Sequence, residues 1–464
     1  MEAGMSSEHS YSSASWVLLP SQRLLWWAGL VCVPLLAVAI ALAGSIAGLA
    51  ALIGLMLIVL VLIADGMGCA ALGKEMTLAC KDDVMLARSQ YGRIELSLQQ
   101  APPTDLRAFL GLPPWLGCDE VWIRADAPAP APASAAAGDV TLCWALRPRR
   151  RGSWQAREVV LAMASPWSLW TLQRHYRPEL TIRVLPDIRT VYKDCLLMQR
   201  RTMVGQARMR LLGRGREYDK LREYQPGDSF EDIHWKATAK HQRLITKEYQ
   251  MERRQAVYVV VDASRLSGRP AEGGSTPESI LERFIQAALG LLLTTDRVQD
   301  DCGLVVFTDR IRAFMPAKHG RDHVQRCREL LGAVEQSEDS PDFEEIGNEL
   351  RTRIRQRALL VFLTNLDDPV LAADFTRQAR LLSRQHIVMA DMYRPAGAEP
   401  LFTTKVVEPA AVYHALAGHL RWRQLRSLML TLRRDGVRLA LLAPGPIAGQ
   451  LSRQYLAIKQ RQLV

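Results

Sequence analysis

A chain of 464 residues with 48% apolar content has room for two or three domains. Its formal charge of +11 is unevenly spread. Its eight cysteines, at 32, 69, 80, 118, 143, 195, 302 and 327, form no CxxC pair and no metal-like spacing. That excludes a disulfide framework or zinc ribbon and reads as reduced, partly buried thiols.

Residues 1–23 are polar and Ser-rich, with little to fold, and read as a disordered N-terminus. Leu24 to Ala64 then runs without a charged residue across 41 positions. That is too long for one span of about 20 residues and right for two. Gly44-Ser45 is the natural break, which gives spans near Leu24–Ala43 and Ile46–Ala64, with Trp26 and Trp27 as interfacial anchors. A secretory signal peptide is the alternative, but its apolar region runs only about 7–15 residues. Two spans put both termini on one side. Arg23 flanks the first, while Lys74, Lys81, Arg88 and Arg93 follow the second, and the turn between is uncharged. The positive-inside rule therefore places the soluble mass in the cytoplasm, behind a multi-pass anchor in the inner membrane. Asp65, directly after the second span, reads as a solvated residue without a role.

Residues 75–190 change character. Short, partly alternating segments at 84–87, 93–98, 121–124, 140–146, 158–162 and 180–185 are separated by turn residues, as in an all-β sandwich. Ala127–Gly138 is low-complexity Pro/Ala and reads as an exposed, semi-rigid loop. Arg147 to Gly152 (RPRRRG) reads as a solvated basic turn rather than a lipid or nucleic-acid patch.

The connector 191–254 holds the densest local chemistry, between Gly213 and Tyr249. From Arg189 to Arg254 there are 16 Lys and Arg against 9 Asp and Glu. An excess this local attracts an acidic partner: a protein face, a membrane surface or nucleic acid. Pro226 and Gly227 suit a type II turn. Asp228 reads as an N-cap with Glu231 as its capping-box partner, which predicts a helix from about Ser229 to about Lys240. Phe230, Ile233 and Ala237 make its apolar face, with Trp235 a large buried aromatic beside it. Lys236 and Lys240 share a polar side. Leu244, Ile245, Lys247 and Tyr249 read as a strand.

These residues resemble the signature of the bacterial domain-of-unknown-function-58 family: an Arg-x-Tyr-x-Pro-Gly-Asp turn, an Ile-x-Trp-Lys helix and a closing x-Leu-x-x-Lys-Glu strand. Arg222, Tyr224, Pro226, Gly227, Asp228, Ile233, Trp235, Lys236, Ala237, Ala239, Leu244, Lys247 and Glu248 stand where that pattern wants them. Upstream, Pro148, Arg151 and Gly152, then Ser165-Pro166 with Leu169-Trp170, resemble its PxxRG and SPxGLW segments, with Ser168 in place of the usual glycine. The resemblance implies a membrane-anchored chain with a von Willebrand A-like domain. It implies a MoxR-type AAA+ ATPase as partner, and often a transglutaminase-like membrane protein beside it.

Residues 255–445 alternate strand and helix. Strand candidates at 257–261, 303–307, 359–363, 387–390 and 437–442 are near-continuous apolar runs, as buried parallel strands are. Amphipathic stretches at 277–295, 323–334, 343–354, 370–382 and 409–434 complete a doubly wound α/β pattern. Residues 446–464 read as a short basic helix or tail. The first strand ends in Asp262-Ala-Ser264, where a metal-dependent adhesion site would place Asp-x-Ser-x-Ser for a hard cation such as Mg²⁺. Asp262 and Ser264 match, but Leu266 offers no oxygen and Ser267 is one position late. Pro341 replaces the threonine the family pattern implies, and Thr364-Asn365 stands where a Ser/Thr-Asp pair belongs. The site is therefore degenerate, with Asp342, Thr364 and Asp367 as partial substitutes. No cofactor is expected, and Asp262 reads as a cap on loop amides. No P-loop or HExxH motif is present, and His234, His241 and Cys195 form no triad spacing.

The leading reading is a non-enzymatic, membrane-tethered adaptor working with a MoxR-type ATPase in protein-complex assembly or remodelling. Its docking face would be built from Arg222, Tyr224, Pro226, Gly227, Asp228, Ile233, Trp235, Lys236, Lys240 and Lys247. A metal-dependent hydrolase using the Asp262 loop is the enzymatic alternative. Nucleic-acid binding by the basic stretch is a third class, and no nucleic-acid partner is expected.

Overall fold

The computed structural model describes residues 8–11, 15–42, 44–72, 76–101, 106–118, 122–124, 138–203, 212–225, 230, 233–250, 254–271, 278–401 and 409–460. The chain divides into two compact units, 1–187 and 188–464.

In the first unit the uncharged stretch forms two helices long and apolar enough to cross a membrane, Gln22–Ala41 and Ile46–Ala71. The first consists of α1 (Gln22–Trp27), a π-helical turn (Ala28–Cys32) and α2 (Val33–Ala41). The second is the single helix α3 (Ile46–Leu72). The break falls at the expected place: Gly44 takes φ +92°, and the Ser45 hydroxyl accepts from the Gly48 amide at 3.2 Å. At 1.5 Å per residue, Ile46 to Ala64 covers about 28 Å, close to the hydrocarbon thickness of about 30 Å. The helix then continues for two more turns.

The strands of this unit are β1 (Glu8–Tyr11), β2 (Ser15–Pro20), β3 (Thr77–Lys81), β4 (Asp83–Ala87), β5 (Gly92–Ala101), β6 (Leu106–Leu110), β7 (Trp122–Arg124), β8 (Gly138–Leu146), β9 (Gly152–Ala156), β10 (Val159–Ala164), β11 (Trp170–Tyr176) and β12 (Leu180–Leu185). They form three sheets, ordered β1-β3-β5-β8, β2-β11-β10-β6-β7 and β4-β12-β9. All three feed one apolar core that includes Leu96, Leu142, Trp144, Ala108, Leu161, Leu172 and Ile182. Most of the Pro/Ala loop, residues 125–137, lies outside the described residues.

Two readings of this unit are corrected. The N-terminal segment read as disordered supplies β1 and β2: β1 pairs antiparallel with β3, and β2 with β11. Each of the two strands before the helical hairpin therefore pairs with a strand that follows it, in two different sheets. Asp65 also has a role. It is buried inside α3 rather than solvated beyond it. Its carboxylate accepts from the Ser165 hydroxyl at 2.5 Å and the Trp167 amide at 3.2 Å. Trp170 Nε1 donates to the Leu62 carbonyl at 2.9 Å, and the Ser21 hydroxyl to the Ser168 carbonyl at 2.7 Å. The SPxxLW segment thus clamps the end of the second apolar helix to β11. Ser168 makes this turn at φ +57°, a left-handed conformation that glycine adopts freely and serine does not.

The second unit begins with α4 (Ile188–Met203), whose Val191 and Cys195 enter the main core. A two-stranded hairpin, β13 (Leu212–Glu223) with β14 (Ile245–Gln250), encloses the short helix α5 (Trp235–His241). There follow β15 (Ala256–Asp262), α6 (Ile280–Arg297), β16 (Asp301–Phe307), β17 (Ile311–Lys318), α7 (Arg321–Ala333), α8 (Phe343–Arg353), β18 (Leu359–Leu363), α9 (Pro369–Leu382), β19 (Ile387–Tyr393), α10 (Pro409–Arg434), β20 (Arg438–Leu442) and α11 (Ile447–Gln460). One six-stranded sheet runs β17-β16-β15-β18-β19-β20. Every neighbouring pair is parallel except β16 with β17. Its two faces bury separate cores, one under α4, α6 and α11 and one under α8, α9 and α10. Residues 446–460 are a core helix: Leu451 and Tyr455 are fully buried. Gly290 lets α11 lie close on α6, since a Cβ there would come within 2.5 Å of the Ala448 Cβ.

Two substitutions in the purified full chain, followed by denaturation in detergent, test the clamp. Asp65→Ala strands a buried hydroxyl and an amide and is expected to cost roughly 1–3 kcal/mol. Ser168→Gly relieves the left-handed serine and is expected to gain about 1 kcal/mol. Unchanged stability in both would contradict the clamp.

Candidate functional site

Two regions of the second unit carry the residues singled out in the sequence. The first is the signature hairpin. Its strands pair antiparallel, with Arg222 opposite Thr246 and Leu221 opposite Lys247. The Pro226-Gly227-Asp228 turn lies outside the described residues, as does Glu231. The helix is shorter than expected: it starts at Trp235 rather than Ser229, because His234 is its cap. His234 Nδ1 accepts from the Ala237 amide at 3.1 Å, while its own amide donates to the Ile245 carbonyl at 2.8 Å. The Thr238 hydroxyl accepts from the Ile245 amide at 3.1 Å and ties the helix to β14. Ile233, just before the cap and bridged to Thr246, and Ala237, in the helix, are both buried.

Trp235 is not buried: at the first position of the helix it is 66% exposed. Phe230 is 71% exposed, with its ring 5.8 Å from that of Tyr224. Lys236, Lys240 and Arg243 are exposed around them. Arg243 pairs with Glu223 at 2.7 Å in open solvent, a contact of little energetic weight. The module therefore presents aromatic rings and lysines together, outward.

The second region is the head of the sheet, at the carboxyl ends of β15 and β18, where crossovers leave toward opposite edges. Ligands of open α/β sheets bind at such a point. Asp262 is fully buried here. Its two oxygens accept from the Thr364 hydroxyl at 2.6 Å and the Ser264 amide at 2.8 Å. Burial raises the Asp262 pKa, and the hydrogen bonds from Ser264 and Thr364 pull it back. Leu266 fills the second serine position with a buried apolar side chain. Asp342 is taken up as the cap of α8, accepting from the Glu344 and Glu345 amides at 2.9 and 3.1 Å. Asp367 lies 3.8 Å from Arg269. Ser267 Oγ and Asn365 Oδ1 are buried without partners. Of the expected set, the fold brings together Asp262, Ser264 and Thr364. Mg²⁺ wants about six oxygens in near-octahedral array, including an ionised carboxylate free to ligate. Asp262, with both oxygens already engaged by Thr364 and Ser264 and Leu266 in place of a ligand beside it, does not fit that role.

Sequence reasoning passed over Asp391, in the middle of β19 and beside Leu363 of β18. Neither of its oxygens meets a donor in good geometry. Burial pushes its pKa up to about 7, and Gln454 and Arg438 pull the other way without offsetting it. The available signal was an aspartate inside an otherwise apolar strand, IVMADMY.

Residues 220–399 match the family model described as protein of unknown function DUF58, which covers the signature hairpin and most of the six-stranded sheet. No curated protein matches the chain. Among solved structures, proximal thread matrix protein 1 from the mussel byssus is 9% identical, over 44% of this chain and 46% of that one, with a TM-score of 0.26. This chain thus spans less than half of the mussel protein. An uncharacterized membrane spanning protein from Vibrio fischeri is 14% identical, over 45% of this chain and all of that one, with a TM-score of 0.18. Both superpositions are too loose to say anything about this chain's fold.

The buried carboxyl predicts a pH dependence. An unfolded aspartate has a pKa near 3.9. Between about pH 4 and pH 7 folded Asp391 keeps a proton the unfolded chain has lost, so it takes stability away as pH rises through that window, and its effect is flat above it. Asp262 acts in the same direction. Buried His386, with a lowered pKa, acts in the opposite direction below about pH 6.5. The comparison is therefore between melting curves of wild type and Asp391→Asn from pH 5 to 8. The variant is expected to gain on the wild type as pH rises, and parallel curves would contradict the assignment. A separate Mg²⁺ titration is expected to leave the wild-type melting temperature unchanged, where saturation at 100 times Kd would add about 2.7 kcal/mol.

Proposed function

We propose that this chain is a membrane-tethered adaptor that does no chemistry of its own and docks a MoxR-type AAA+ ATPase on its signature hairpin. The observation that carries the reading is the exposure of Trp235, Lys236 and Lys240 on the signature helix, with Phe230 exposed just before it. An aromatic ring held in water on a rigid element is a poor contributor to folding and a good anchor for a partner. The lysines around it suit an acidic partner face and suppress a basic one. The ATPase comes from the family resemblance, as does a transglutaminase-like neighbour.

The six-stranded sheet, with Asp262, Ser264 and Thr364 at its head, fits a von Willebrand A-like domain whose metal position is filled by hydrogen bonds instead. That supports an interaction role over the hydrolase alternative. The uncharged hairpin turn, the basic flanks and the pairing of β2 with β11 favour a multi-pass anchor with both soluble units in the cytoplasm. The work done would be assembly or remodelling of other proteins by the ATPase, brought to the membrane by this chain.

The test separates folding from docking. Ile233→Ala removes a buried side chain and is expected to cost about 2–5 kcal/mol. Trp235→Ala, and Lys236→Glu with Lys240→Glu, are expected to change stability by less than about 0.5 kcal/mol, as exposed positions do. In a tagged pull-down from native membranes both are expected to lose the ATPase. Undiminished recovery with Trp235 truncated and the lysines reversed would sink the docking face.

A further inference from the structure

Helix α10 carries five arginines, at 421, 423, 426, 433 and 434, and no acidic residue between Pro409 and Arg434. Val412, Leu416 and Leu420 recur every four residues along it and so lie one above another. With Tyr413 beside them they are 52, 45, 52 and 75% exposed. Arg423, Leu430 and Arg434 continue the same face at helical spacing. The helix is held from behind. Leu425 and Leu432 are buried against the sheet. Gly418 lies on the Gly397 carbonyl, where a Cβ would come within 2.0 Å. His419 Nδ1 accepts from the Leu401 amide at 3.2 Å. Trp422 stacks on His419 at 5.5 Å and lies under Arg426 at 5.1 Å. The outer face is thus a fixed, apolar and cationic surface.

We propose that this outer face of α10 lies on an anionic lipid surface. Large apolar side chains followed along one face by arginines, and no carboxylate, are the composition of a helix that rests in the headgroup layer. A contiguous exposed apolar face of this kind is covered in a working protein or is a liability. A second copy of the chain would set arginine against arginine, which disfavours a symmetric contact through α10. The chain brings a bilayer with it through its two apolar helices, so an acidic membrane surface is tethered at high effective concentration. The proposal stands independently of the ATPase reading.

The experiment uses the full chain with Leu416→p-benzoylphenylalanine, reconstituted in phosphatidylcholine vesicles with and without phosphatidylglycerol and illuminated. The expected result is a mass increase of one phospholipid on the peptide that carries position 416. The yield should rise several-fold with phosphatidylglycerol and fall in high salt. It should also fall in the background Arg423→Glu with Arg434→Glu. Val370→p-benzoylphenylalanine, on the exposed surface of α9, is the reference and is expected to remain unmodified. A yield at 416 no higher than at 370, or one indifferent to phosphatidylglycerol and to the two arginines, overturns the proposal. So does a cross-link from 416 to a second copy of the chain, or, in native membranes, to another protein in place of lipid.

Discussion

The pairing of β2 with β11, closed by Asp65 on Ser165 and Trp167, is the contact on which the first unit depends. An uncharged run of 41 residues forms two apolar helices long enough to cross a membrane, and a helix satisfies its own backbone as a bilayer would require. The hairpin alone would be a loose anchor. The strand before it and the strands after it share sheets, so neither end is free to move independently. The Asp65 carboxylate accepts from a hydroxyl and an amide of the SPxxLW turn. α3 therefore runs without a joint from its apolar stretch to the sheets.

The second unit divides its labour differently. Its sheet head is closed by Thr364 and Ser264 on Asp262, a geometry that ties two loops together. Its outward chemistry lies instead on two helices that the sheet and the hairpin hold from behind. α5 presents Trp235 with lysines, and α10 presents leucines with arginines. Both surfaces are basic and apolar, and neither face is needed to complete a core. An adaptor needs surfaces of this kind more than it needs a cleft.

Much of this was legible in the residues. The β15, β16, β18 and β19 runs are near-continuously apolar because both sheet faces are covered, and the helices between them are plainly amphipathic. The edge strand β17 escaped notice because its exposure alternates and Pro316 interrupts it, which only an edge tolerates. The strand β2 escaped because Trp16, Val17 and Leu19 stay exposed, so its pattern resembles a tail. Asp65 could not be read, since its partners are about 100 residues away. Trp235 was misread through a local error: a cap at Asp228 would have begun the helix earlier, whereas His234 captures the Ala237 amide and starts it at Trp235. The chemistry of single side chains depended on such contacts, while the architecture did not.

The central claim is that a hairpin anchor holds the soluble units on the side where an ATP-driven partner works. Topology tests it most directly. Paired reporters fused after Val464, one that matures only in the cytoplasm and one that is active only outside it, would be compared in intact cells. The account predicts signal from the cytoplasmic reporter and silence from the other. Activity of the external reporter would place Trp235 and its lysines away from any ATPase and contradict the account.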